Sequence, residues 1–128
     1  TLAGGRRLIG IHFRAGNESA WNDPARHGLV DLHLALECAA QVEQAMGFPS
    51  NTAWLLAADT QKVRSDDSVA MLHSAGKIVF LESRSTHIDR SDPDILAIYE
   101  SWATWWALAF HADALLLSHS NFGWSAAE

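Results

Sequence analysis

A chain of 128 residues, 48% of them hydrophobic and 19% charged, has the length of one domain and enough apolar material for a core, which excludes a disordered segment. Its formal net charge of −6 excludes a sequence-independent nucleic-acid binder, which needs a basic face, but not one anionic ligand held by local donors. A single cysteine, Cys38, excludes an internal disulfide; beside Leu36, Ala39 and Ala40 it reads as a small buried hydrophobe.

In chain order, the first predicted element is a strand, Leu8-Ile-Gly-Ile-His-Phe13, apolar and rich in β-branched residues. A polar loop over 17–28 follows, long for a strand-to-helix connection, and loops of that length are often functional. Leu32, Leu36, Ala39, Val42 and Met46 are spaced by four, three, three and four, which predicts a helix over roughly 30–47, ended by Gly47 and Pro49. Ala53-Trp-Leu-Leu-Ala-Ala58 is a second strand, and a short helix over 68–75 stops at Gly76. The third strand is Lys77-Ile-Val-Phe-Leu81. Ser91-Asp92-Pro93-Asp94 carries a cap, a first-turn proline and acidic residues, so it opens a longer helix marked by Ile95, Ile98, Tyr99, Trp102, Trp105, Trp106 and Ala109. Asp113-Ala-Leu-Leu-Leu-Ser118 is the fourth strand.

Continuous rather than alternating apolarity marks strands buried on both faces, as in a parallel sheet. Strands alternating with helices predict an α/β domain with right-handed crossovers, Rossmann-like, in the strand order 3-2-1-4. No apolar run approaches the length of a membrane span. The chain starts without Met and stops in what reads as the first turn of a helix, so residues 1–128 are expected to be one domain of a longer chain, with any membrane anchor outside it.

In open parallel sheets ligands bind beyond the carboxyl ends of the strands, where neighbouring strands diverge, here between the first and fourth. The first strand ends in His12-Phe-Arg14-Ala-Gly16. Arg14 offers a permanently charged planar fork that suits two phosphate oxygens, and Gly16 lets backbone approach a ligand. The second strand ends in Asp59-Thr60; the carboxylate suits two adjacent N–H donors or a ribose hydroxyl, or simply caps the next helix. The fourth ends in Ser118-His119-Ser120-Asn121-Phe122-Gly123 before a helix, where free N–H groups and the helix dipole favour an anion and Phe122 can lie against a base or sugar. Three polar strand ends together predict a binding crevice.

These residues carry a resemblance. Ile11-His-Phe-Arg-Ala-Gly16 resembles the H-x-R-x-G/D motif of the fucosyltransferase superfamily that includes the α1,2-, α1,6- and protein O-fucosyltransferases. Leu56-Ala-Ala-Asp59-Thr60 is similar to its second motif, a strand ending in A-(T/S)-D. Ala114 to Trp124 resembles the third, S-x-S-S-F-G/S-(W)-x-A, and the three stand in family order across almost the whole chain. The resemblance implies the C-terminal, donor-binding half of a two-domain GT-B enzyme. This half would transfer fucose from GDP-fucose to a glycan or protein hydroxyl with inversion, without metal or other cofactor, in the Golgi or endoplasmic reticulum lumen. It implies that Arg14 grips the diphosphate as the catalytic cation and that His12 touches the nucleotide. Asp59 and Thr60 would read the guanine or ribose, and Ser118, Ser120, Asn121, Phe122 and Gly123 would line the phosphate and base pocket. The isolated segment is then expected to be inactive, for want of the N-terminal acceptor half.

Glu18 and Asp23 lack the spacing of a general base and read as solvated loop carboxylates, so no base is assigned. Asp92-Pro93-Asp94 has a metal-binding D-x-D form but lies where first-turn acids are expected. The seven histidines include no i, i+4 pair of zinc-binding type, and Gly4-Gly5 precedes the first strand rather than following it. Trp102, Trp105 and Trp106 read as core, or as the surface meeting a second domain. The alternative function is a non-catalytic sugar-nucleotide- or glycan-binding module of the same fold; a third reading is a Rossmann-like domain for another nucleotide-sugar.

Overall fold

The computed structural model describes residues 4–14, 29–58, 60–81, 95–117 and 125–128. Four parallel strands form one sheet: β1 (Leu8–Phe13), β2 (Ala53–Ala58), β3 (Ile78–Val79) and β4 (Ala114–Leu117), in the order β3-β2-β1-β4. This is the predicted order. Among the described residues three helices accompany them: α1 (Leu29–Ala45), α2 (Asp67–Ser74) and α3 (Ile95–Phe110), with a 3₁₀ turn over Gln61–Ser65 that the hydrophobic pattern does not signal. Residues 125–127 are helical.

β1 lies at the centre, with Leu8 to Phe13 paired residue for residue with Ala53 to Ala58 of β2, and Ile9 to His12 with Ala114 to Leu117 of β4. Every residue of β1 is buried, as expected of a strand covered on both faces. Alternation divides the sheet's side chains between two cores. Ile9, Ile11 and Phe13 join Leu56, Leu32, Leu36 and Val69 on the side of α1 and α2. Leu8 and Leu55 join Ala107, Leu108 and Ala126 on the side of α3. The result is a three-layer α/β domain.

Local chemistry explains where the elements stop. α1 ends where Gly47 takes φ 66°, its N–H and that of Phe48 returning to the carbonyls of Gln44 and Glu43 at 3.1 and 3.0 Å. These two bonds satisfy orphan carbonyls of the last turn, and only glycine adopts that φ without strain. β3 is shorter than predicted. Lys77 lies outside the strand, its ammonium 2.5 Å from Glu43 Oε1 and 2.9 Å from the carbonyl of Ser50. Asp113 is likewise not part of β4. Its carboxylate accepts the N–H of Leu8 at 2.8 Å and the guanidinium of Arg7 at 2.7 Å, which fastens the amino ends of β1 and β4 together.

Two expectations about packing need correction, and of the two readings of the α3 tryptophans, core or a surface meeting a second domain, the first does not hold. Met46 is exposed, because α1 has already ended one residue before it and the chain turns away from the core. Cys38 is half-buried rather than enclosed. The apolar stripe of α3 is not its core face: Ser101, Thr104, Ala107 and Leu108 meet the sheet, and Trp102 and Trp106 point to solvent, with Trp105 between. Gly10 gives this inner face its room: a Cβ at that position would lie 2.5 Å from Leu108 Cδ2 and 2.7 Å from Leu115 Cδ2, so Leu108 of α3 and Leu115 of β4 fill the space a side chain there would take. Thr104 tolerates burial because its hydroxyl donates to the carbonyl of Glu100 at 2.9 Å.

Candidate functional site

The sheet order places the topological switch point between β1 and β4, with β2 on the opposite flank of β1. Arg14 immediately follows the last residue of β1 and is exposed, so its guanidinium stands at the carboxyl edge of the central strand. That is the position from which a fork of N–H donors reaches a ligand seated across the strand ends.

His12 lies two residues earlier, opposite Leu117 of β4, and is buried with its Nδ1 enclosed by protein. It also lines the cavity described below. Thr60 follows β2 and is also enclosed. Its hydroxyl accepts the N–H of Lys62 at 3.2 Å and caps the 3₁₀ turn, a structural task for a residue proposed from the motif. The turn then carries Arg64 to the ring of Phe80, the guanidinium carbon 4.4 Å from the ring centroid. Gly16, Asp59, Ser118, Ser120, Asn121, Phe122 and Gly123, with Glu18, Asp23, Asp92 and Asp94, lie outside the described residues.

Beneath the switch point, on the α1 side of the sheet, is a cavity of about 230 Å³. Ile11, Phe13 and Leu116 line it from the strands, and Leu34, Ala35 and Cys38 from α1; Asp31, the acidic residue of the first turn of α1, stands at its border. A cavity of about 150 Å³ holds one benzene ring, and whole-ligand pockets start near 300 Å³. This one has room for a single ring of a larger ligand. Its lining escapes the sequence pattern because Leu34 and Cys38 fall off the buried stripe of α1, and Asp31 has the signature of any first-turn acid.

No family model, curated protein or solved structure matches the chain. No helix among the described residues is long and apolar enough to cross a membrane.

Proposed function

We propose that this domain is the donor-binding half of a glycosyltransferase of the fucosyltransferase type, with Arg14 holding the diphosphate of a sugar nucleotide. The observation that carries the reading is the exposure of Arg14 directly after the central strand, beside the point where β1 and β4 diverge. A single-ring cavity adjoining the same strand ends suits a ligand that has a planar base or a sugar at one end and a pyrophosphate at the other. The motif resemblance of 11–16, 56–60 and 114–124 supplies the choice of GDP-fucose, inversion, the absence of a metal and a lumenal location; a glycan or protein hydroxyl is then the acceptor.

In such a transfer the bond between the anomeric carbon and the phosphate oxygen breaks as the acceptor hydroxyl attacks, and negative charge grows on the departing diphosphate. A preorganised cation binds that charge more tightly in the transition state than in the ground state, which is what accelerates the step. Arg14 fits this role because its charge survives at any working pH and its fork meets two oxygens at once.

The test is calorimetry with GDP, alongside UDP and ADP, on the parent chain and on Arg14→Ala and Arg14→Lys. Loss of a charge-assisted contact predicts about 10- to 100-fold weaker GDP binding for the alanine variant, with lysine recovering part of it. An unchanged dissociation constant in Arg14→Ala, with circular dichroism also unchanged, would remove the diphosphate site. Tighter binding of UDP or ADP would transfer the reading to another nucleotide. Binding of GDP-fucose without release of GDP in an acceptor-supplied assay of the two-domain enzyme would make the domain a binding module.

A further inference from the structure

Helix α3 is apolar on the wrong side for a free-standing domain. The residues it turns to the sheet are, apart from Leu108, small or polar, while Ile95, Leu96, Tyr99, Trp102, Trp106 and Phe110 are each exposed by 54 to 69%. They occupy one continuous arc of about 120°, given 100° per residue. Four of them, Ile95, Tyr99, Trp102 and Trp106, are spaced by four, three and four. That is the alternation by which one helix packs lengthwise against another. Ala103, small and exposed, lies among the aromatic rings and leaves a notch between them.

The rings are already arranged. Trp106 and Phe110 stand 4.4 Å apart by centroid and Trp102 and Trp105 6.2 Å, and Trp105 is held by an indole N–H bond to Ser125 Oγ at 2.9 Å. Side chains that support one another lose less rotamer freedom on association.

We infer that this face is the two-fold contact between two copies of the chain, with α3 packed against its symmetry mate. Three observations favour a second copy. An aromatic side chain presents about 150–250 Å² when open, so the uncovered portions of the six residues amount to roughly 600 Å². That is the top of the ~300–600 Å² range of the largest patch on a monomer, a size that is often functional, and about three quarters of the ~800 Å² that each partner contributes to a stable interface. Secondly, two chains of net charge −6 repel one another, so they need a contact surface with few charges. α3 has a single ionisable acid, Glu100, and it is half-buried outside the exposed arc. Finally, the pattern is self-complementary: a two-fold axis near Ala103 sets a tryptophan of each copy over the notch of the other, as an isologous contact requires. A membrane surface suits the face less well, because α3 carries no Lys or Arg to meet lipid headgroups.

The inference is independent of the nucleotide site. It is tested by sedimentation equilibrium of the chain from low to high micromolar concentration, with the same measurement on Trp106→Glu and on Ala103→Arg, the latter at an exposed small residue where the fold is least at risk. The expected result is a monomer–dimer equilibrium whose dissociation constant rises at least about 30-fold in both variants, the scale of a central hot spot, with unchanged circular dichroism. A parent chain that stays monomeric, a dimer indifferent to both substitutions, a monomer that co-sediments with phosphatidylcholine vesicles, or a monomeric two-domain enzyme whose halves come apart on the same substitutions would each overturn it.

Discussion

Asp113 shows how much a single side chain does at the edge of this sheet. Burial of its carboxyl acts to raise the pKa. The hydrogen bond from Leu8 N–H, that from Arg7, and the Arg7 charge together outweigh burial and hold the group below the ordinary aspartate range. A carboxyl depressed in the folded state stabilises the fold fully above its unfolded pKa, and the contribution is lost as pH falls through the folded value. The carboxylate is partly open to solvent, so the stabilisation is discounted to about 1 kcal/mol. Asp113→Asn is therefore expected to lower urea-unfolding stability by that amount at neutral pH, with the gap to the parent closing as pH falls through and below the ordinary aspartate range. A gap of constant size across that range would show that the charge plays no part. In the sequence Asp113 reads merely as the first residue of a strand, because its two partners stand more than a hundred positions away. Arg14 stands out in the sequence for the opposite reason: a guanidinium directly after an apolar run is a local signal.

Elements built from local rules came through the reading well. β1 and β2 coincide with their apolar runs, and the four-three-three-four spacing locates α1 to within two residues at each end. Two shorter features did not. The 3₁₀ turn depends on the Thr60 cap rather than on any apolar period, and β3 keeps two of five expected residues, with Lys77, Phe80 and Leu81 outside it. α2 illustrates a cap with a second duty. Asp66 Oδ1 accepts the N–H of Val69 at 3.1 Å, while Oδ2 lies 2.9 Å from Nε2 of His33 on α1, so one carboxylate both starts a helix and ties it to another. Asp66→Ala is expected to cost about 1 kcal/mol, or on the order of 4 °C in Tm, and Asp66→Ser to recover most of the capping share. Thermal unfolding of both variants decides it; equal Tm values for parent and alanine variant would reject the capping role.

Across the molecule, strand order was the most secure inference, because buried runs alternating with helices leave few right-handed arrangements. For the proposed crevice the sequence offers only a location. Parallel topology puts it at the carboxyl edge, but the cavity under β1 and β4 forms from α1 residues that look like ordinary helix surface. The outward tryptophans were hardest to foresee, since an apolar face has the same pattern whether it covers the sheet or another molecule. The crevice and the α3 face lie on different parts of the domain, which predicts that Trp106→Glu leaves the dissociation constant for GDP within about twofold of the parent, as expected of sites that share no contacts. A larger change by calorimetry would mean that association and ligand binding are linked. Gly10 has a wider consequence in this light. Where every other residue of the four strands carries a β-carbon, this position has a hydrogen, and Leu108 settles into that space. A methyl added in the middle of the sheet would lift the helix from its seat, and the aromatic surface on the helix's far side would move with it.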